Sequence, residues 1–229
     1  MLSKHFLGKQ LKPNQDIVSF IGPSGTGKTF CANFLETFGY KIAPQITTRE
    51  KRPDDVHYTY MSHGDFVNGI KNGTILGYYS GNEETLSGGN GYGYHIETLN
   101  ELLQNPNAKL ILFPSAYELS EPNFLKLYGN TTKFALTFKN PSTVATRAMY
   151  AGKVFSNTEL QNRINIVNDL TNAMLYYKLN SDDSNFHLIY SDQFGSDKTL
   201  SEKKQLEVVC NVLGIKKQAF VDAFVNYSK

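Results

Sequence analysis

The sequence contains no apolar run approaching the roughly 20 residues that a membrane-spanning helix needs, and its first ten residues lack the long apolar centre of a secretory signal. A cytoplasmic protein is therefore expected. Cysteine is scarce. Cys31 and Cys210 have neither C-x-x-C spacing nor a nearby ligand set, which argues against a disulfide framework or a zinc site and leaves two reduced core thiols. Charge of one sign is also lacking: a net charge of +2 is too small for a surface that coats nucleic acid. No internal repeat or low-complexity tract is present. What remains is 229 residues, 40% apolar, enough to bury a substantial core as one domain with mobile subregions.

Arginine is the most informative scarcity. Of the 23 basic residues only Arg49, Arg52, Arg147 and Arg163 are arginines. Lysine meets the general need for positive charge, so each arginine invites a specific reason, because only the planar guanidinium makes a rigid two-pronged contact with phosphate or carboxylate. Ordinary surface salt bridges would scatter the four anywhere.

Apolar periodicity organises the chain. Residues 17–21 read as a buried strand, 22–28 as a glycine loop and 29–38 as the helix behind it, ended by Gly39. A second strand is expected over 41–46, a short helix over 62–71 capped by Ser62, and a strand over 75–79. Residues 80–93 are glycine-rich and expected to be mobile. Then follow a helix over 96–104, a strong strand over 109–113, a helix over 121–128 and a strand over 133–138. A helix over 141–150, an interruption over 151–157, a long helix over 158–179 and a last strand over 186–190 complete the pattern. The alternation predicts an α/β fold with a parallel sheet covered on both faces. Two terminal helices, 200–213 and 216–226, are expected to cover core surface, with a partner or homodimer contact as the alternative.

The stretch GPSGTGKT over residues 22–29 carries the clearest chemistry. Placed between a strand and a helix, its glycines let backbone N–H groups converge on phosphate oxygens at a positive helix terminus. Gly22, Ser24, Gly25, Thr26, Gly27, Lys28 and Thr29 are thus predicted to bind ATP or GTP, with Lys28 on the outer phosphates and the Thr29 hydroxyl holding Mg2+. The strand over 109–113 runs into Pro114 and Ser115, so the acid that supports the metal in many phosphate-loop proteins is missing there. Asp192 is a weak substitute.

From Thr47 onward the order of features resembles guanylate kinase. The segments are TTREKR over 47–52, HYTY over 57–60, MSHGDFVNGIKNG over 61–73 and GNGYG over 89–93, with a looser match through an R-x-x-x-x-G lid and a later helix arginine. The resemblance spans roughly residues 17–192. It implies a P-loop NTPase three-layer fold of nucleoside monophosphate kinase type, forming a single domain. Its core would comprise 15–45, 108–140 and 165–195, its acceptor-binding region 46–100 and its lid 146–162, followed by a C-terminal helical extension over 199–229. It also implies ATP and Mg2+ as cofactors, Arg49, Arg52, Tyr58 and Tyr92 as acceptor-phosphate ligands, and Lys28, Arg147 and Arg163 as catalytic. Two arginines three residues apart, joined by tyrosine hydroxyls, suit an acceptor phosphate. Arginines at the transferring group suit charge that builds in a transition state. A second lid arginine of the family is Ala151 here, with Lys153 as a substitute.

The base-reading part departs from the family. Its glutamate would fall at Gly77 and its aspartate near Ser115, and neither acid is present. Glu83 or Glu84 in the longer loop restores one contact, or both are solvated charges. The loop between Arg52 and Tyr58 is also shorter than usual. The expected function is transfer of a γ-phosphoryl group to a nucleoside monophosphate, GMP- or dGMP-like or with a different or modified base. A kinase of a sugar phosphate or a modified DNA base is an alternative. A non-catalytic guanylate kinase-like module is a weaker one, because Lys28 and Thr29 are retained.

Overall fold

Ile17, Val18, Phe20 and Ile21 are buried almost completely, as a run with no polar face requires. They lie on β1, Asp16–Ile21, in a computed structural model that describes residues 15–51, 56, 58–120, 131–150, 156–193 and 198–227. The next elements are α1 (Lys28–Glu36), β2 (Lys41–Ile42), β3 (Gln45–Thr47), β4 (Tyr58–Tyr60), α2 (His63–Lys71), β5 (Ile75–Tyr79), β6 (Gly91–His95) and α3 (Ile96–Leu102). They are followed by β7 (Lys109–Leu112), a 3-10 turn (Ala116–Ser120), β8 (Thr132–Thr137), α4 (Thr143–Tyr150), α5 (Asn157–Asn180), β9 (Phe186–Tyr190), α6 (Lys198–Val212) and α7 (Lys217–Tyr227).

The expected parallel sheet is present, with strand order β2-β7-β1-β8-β9. β7 runs parallel to both β1 and β2, and β8 parallel to β9. A second sheet, β4-β3-β6-β5, was not expected. It arises because the single strand read over 41–46 is two. Pro44 has no N–H to continue a ladder, so Ala43 ends the pairing with its N–H on the Ile111 carbonyl, and the chain enters the second sheet at Gln45. The three-residue β4 also lay below the reach of periodicity. The glycine-rich 80–93 segment contributes to the same sheet. Residues 91–93 are strand, and the rest is a turn closed by Ser80 and Asn90 and by Asn82 and Ser87 through backbone hydrogen bonds. The helix expected over 121–128 lies outside the described residues.

The chain divides into two compact units, one of Met1–Ser19 with Lys41–Thr132 and the other of Phe20–Tyr40 with Lys133–Lys229, as far as their residues are described. In the first, α2 packs on one face of the four-stranded sheet. Ile46, Phe66, Val67, Ile70, Ile75 and Tyr79 form that core. Ser62 caps α2, its hydroxyl accepting from the Asp65 N–H, as its sequence position predicts.

In the second unit α1, α6 and α7 share a core. Phe34 on α1 is fully buried and meets Phe220, Phe224 and Tyr227 of α7 at ring-centroid distances of 5.4–6.2 Å. The terminal helices thus cover apolar surface, as read from the sequence. At the far end of this unit Lys133 is wholly buried and pairs with Asp183 at 3.0 Å, and Tyr177 donates to the same carboxylate. Desolvation lowers the pKa of Lys133, and Asp183 opposes that shift.

Candidate active site

The loop over 22–28 is seated against its own unit by close backbone approach. Gly22 has φ 134°, and a Cβ there would stand 2.0 Å from the Leu136 carbonyl oxygen on β8. Only glycine lets the loop turn at this distance. The Thr26 hydroxyl donates to the Pro23 carbonyl at 2.9 Å, which closes the turn. The Thr26 carbonyl accepts from Ser191 Oγ at 2.7 Å and from Gln205 Nε2 at 3.1 Å. Ser201 on α6 completes this support by donating to the Ser191 carbonyl at 2.8 Å. Ser191, with Asp192, stands where the guanylate kinase resemblance places an Asn-Asp pair near the adenine, whereas the sequence reading missed Ser201 and Gln205. Their signal is absent from any local pattern, because Gln205 reaches the loop across 179 positions of sequence.

Lys28 opens α1 and folds back over the loop. Its ammonium donates to the Gly22 and Pro23 carbonyls at 2.8 and 2.7 Å. Burial pushes its pKa down to about 8, since these carbonyls replace only part of the lost hydration. Thr29 and Ser24 are exposed, Thr29 on the first turn of α1 and Ser24 at the loop tip. Gly25 is also exposed, and its carbonyl is the partner of Arg147.

Arg147, on α4, donates through Nη1 to the Gly25 carbonyl at 3.0 Å and through Nη2 to the Ser191 carbonyl at 3.1 Å. Its guanidinium also lies 5.1 Å from the Phe138 ring centroid. Burial lowers its pKa, but a guanidinium remains charged throughout the physiological range. Arg163 is half-buried on α5. Nearby Glu159 is held below its usual carboxyl range by the Ser156 N–H and hydroxyl, to which the charge of Arg163 adds. Ala151 and Lys153 lie outside the described residues.

Asp192 does not stand ready for a metal. Its carboxylate accepts from the N–H groups of Lys139 and Asn140 at 2.6 and 2.9 Å and from the Thr143 hydroxyl at 3.1 Å. It therefore ties the turn that leads from β8 into α4. The suggestion that it replaces the missing acid is corrected accordingly. Among the described residues no group of three or more His, Cys, Asp or Glu could hold a metal. The donor set still fits Mg2+ bound chiefly by phosphate oxygens and water, with the Thr29 hydroxyl as its protein ligand.

The other unit carries a second polar site. Arg49 follows β3 directly and is largely buried. Its guanidinium carbon lies 4.7 Å over the Tyr58 ring, and Nη1 donates to the Glu50 carbonyl at 2.8 Å. Arg49, Glu50, Lys51, Asn90 and Tyr92 line an open cleft of about 430 Å³. Arg49, Tyr58 and Tyr92 are thus brought together, while Arg52 lies outside the described residues. Two cations, an amide and a phenol around one concavity suit a phosphate, and the two cations outweigh the single carboxylate of Glu50.

Strand register explains the missing acids. Side chains alternate between faces along a strand, and Gly77 lies opposite Gly93 on the face that α2 covers. A Cβ at residue 77 would meet the Tyr92 carbonyl oxygen at 2.4 Å and the Gly93 Cα at 2.6 Å. A glutamate here would wedge the strands apart without reaching the cleft face. Its neighbour Tyr78 is paired with Tyr92 and shares that face. Glu83 and Glu84 are exposed. Glu83 lies 3.9 Å from Lys71, and the Glu84 N–H closes a turn on the Asn82 side chain. At the other position, the Ser115 N–H donates at 2.5 Å to Oε2 of Glu118, a carboxylate only 1% exposed. Glu118 was not singled out in the sequence.

Against known proteins, no family model matches the chain and no curated protein is similar to it in sequence. Among solved structures it is similar to guanylate kinase from Anaplasma phagocytophilum, at TM-score 0.55 over 89% of this chain and 86% of that one. The two chains share a fold. Identity is 14%, so the likeness is one of architecture, an α/β fold that this chain shares. A weaker match, TM-score 0.41 at 14% identity, is to shikimate kinase from Acinetobacter baumannii in complex with shikimate, over 89% of this chain and 98% of that one. No helix among the described residues is long and apolar enough to cross a membrane.

Proposed function

We propose that the protein is an ATP-dependent kinase that transfers the γ-phosphoryl group to a nucleoside monophosphate. The observation that carries this reading is Arg147 bonded to the Gly25 carbonyl of the phosphate loop, beside the Lys28 ammonium held on the carbonyls of Gly22 and Pro23. A phosphate loop equipped with its own arginine suits phosphoryl transfer, where charge spreads over the moving group. The Arg49–Tyr92 cleft supplies an acceptor site of matching charge.

In this reading the backbone N–H groups of Gly25, Thr26, Gly27 and Lys28 cradle the nucleotide phosphates, and Lys28 leaves its carbonyl partners for their outer oxygens. Thr29 would hold Mg2+, whose charge neutralises the phosphates when it is bound. Arg147 and Arg163 stabilise the transferring group. Arg49, Arg52, Tyr58 and Tyr92 hold the acceptor phosphate in line. No general base is required, because a phosphate acceptor is already ionised, so catalysis consists of positioning and charge neutralisation. Residues 46–100 serve as the acceptor-binding region, 146–162 as the lid that excludes water, and 15–45, 108–140 and 165–195 as the core. The protein acts in the cytoplasm on small molecules.

The test is ADP release from Mg-ATP across ribo- and deoxynucleoside monophosphates and ribose 5-phosphate. Turnover of a nucleotide acceptor that falls at least about 100-fold in both Lys28→Ala and Arg49→Ala is expected, because each removes a charge-assisted contact to phosphate. Turnover of the sugar phosphate alone would replace the acceptor in this reading. ATP binding with no turnover of any acceptor would reject it.

A further inference from the structure

Within the unit that carries the Arg49 cleft, one sheet face is lined with tyrosine. Register places Tyr58 opposite Gln45, Tyr60 and Tyr92 opposite Thr47, and Tyr78 opposite Tyr92. With Tyr94 two residues beyond Tyr92, all five phenols project from the face that α2 does not cover. The adjoining segment is tied to the same face. The Tyr94 hydroxyl accepts from the Phe113 N–H at 2.5 Å, and Gln45 Nε2 donates to the Phe113 carbonyl at 3.2 Å. That tether delivers Tyr117. Its ring stacks on Tyr78 at 5.6 Å and an interplanar angle of 19°, and the residue is 40% exposed. Its backbone is fixed by its own N–H on Ser115 Oγ at 3.3 Å and by the bond between Ser115 and buried Glu118.

We propose that the Tyr78–Tyr117 stack is a base platform: the acceptor's planar ring lies on Tyr117 while its phosphate occupies the Arg49–Tyr92 cleft. This rests on the kinase reading and gives it a selectivity. The geometry supports a continuous track, because Tyr92 belongs both to the cleft and, through its cross-strand partner Tyr78, to the stack. Cross-strand partners stand about 5 Å apart, so phosphate and ring sites are adjacent. Stacking tolerates any base, since every base offers a π-face, whereas carboxylates read one hydrogen-bonding edge. Gly77 is covered and Glu118 is buried, so neither position presents an acid to the stacked ring, and the exposed Glu50 lines the phosphate cleft. The platform therefore accepts bases of different edges, including substituted ones. The small residue at Ser115 and the fixed backbone of Tyr117 serve the same end, because a preorganised ring loses little freedom on binding.

The test is equilibrium binding by calorimetry to the full chain, using GMP, AMP, CMP, UMP and ribose 5-phosphate, with Tyr117→Ala and Tyr117→Phe. Each nucleotide is expected to bind about 10- to 100-fold more tightly than ribose 5-phosphate, with the four bases within about 10-fold of one another. Tyr117→Ala should remove that advantage without altering ribose 5-phosphate binding, and Tyr117→Phe should keep it. Tyr117 is exposed, and circular dichroism of both variants identifies any loss of fold. Equal affinity for ribose 5-phosphate and the nucleotides overturns the platform while sparing the phosphate cleft. So does a preference above about 100-fold for one base, which would mean that an edge is read. Failure of all five to bind overturns the cleft reading, and the platform with it.

Discussion

Lys28 faces two demands that pull in opposite directions. In the free protein its ammonium is desolvated and held only by carbonyls, so its pKa falls to about 8. Phosphate oxygens would restore it toward the ordinary lysine value. Nucleotide binding should therefore take up protons above pH 8, and affinity should fall as pH rises through that value. Calorimetry at pH 9 in buffers of different ionisation enthalpy measures the uptake, which should vanish in Lys28→Met. The same desolvation sets a stability sign. Because the folded pKa lies below the unfolded one, the unfolded chain binds more protons between about pH 8 and the ordinary lysine value of 10.5, and stability rises with pH across that window. Below it the burial cost is fully present, so Lys28→Met should raise the Tm of the free protein at pH 7 by roughly 2–4 °C, the shift that about 1 kcal/mol produces at this size.

Gly77 gives a residue-scale prediction of the opposite sign. Any side chain there meets backbone of the paired strand, so Gly77→Glu should destabilise the fold by about 3 kcal/mol or more, through a strand clash and a charge turned toward the apolar α2 core. Urea unfolding measures it. An acid that instead restored selectivity for guanine at unchanged stability would contradict the register argument.

At the scale of elements, α6 and α7 act as a brace for the phosphate loop. Gln205 holds the Thr26 carbonyl and contacts Cys31 Sγ at 3.2 Å, and the Phe34–Phe220 contact fixes α7 on α1. Cys31 and Cys210 are the buried free thiols expected of them, and burial pushes both up to about 12, which leaves them protonated. Phe220→Ala should cost about 3–5 kcal/mol in denaturant unfolding, because it removes a buried ring from a filled core. Gln205→Ala should cost only about 1–2 kcal/mol, since Ser191 still holds Thr26, and should weaken nucleotide binding beyond that stability change. Equal loss of nucleotide affinity in the two variants would reduce the brace to general packing.

These elements also mark what the sequence made legible. Runs such as 17–21 and 133–138 are apolar without interruption, and only a buried strand uses such a run, so the parallel sheet could be read directly. Ser62 announced α2 because a cap is a local bond. Residues 41–46 read as one strand because apolar content hides the change of sheet at Pro44. The tyrosine face was invisible for a different reason. Which side of β5 looks toward β3 depends on register with β6, and register is a long-range property. Gln205 carries no pattern at all. Its partner is a backbone carbonyl far away in sequence, and such contacts emerge only from the fold.

At the scale of the molecule, the two units divide the chemistry. One holds the phosphate loop, Lys28 and Arg147; the other holds the Arg49 cleft and the tyrosine face. By the proposed roles, each unit handles a different phosphate. The scarcity of arginine fits this division, since Arg49 lines the cleft and Arg147 bonds the loop. The most direct measurement is 31P NMR of a reaction containing Mg-ATP and a nucleoside monophosphate. The account predicts that the γ-phosphorus signal of ATP is lost as a new β-phosphorus signal appears on the acceptor, in equal amounts, and that Arg147→Ala abolishes the exchange. Accumulation of inorganic phosphate with an unchanged acceptor would contradict it, because a phosphate loop that only hydrolyses ATP has no use for the Arg49 cleft.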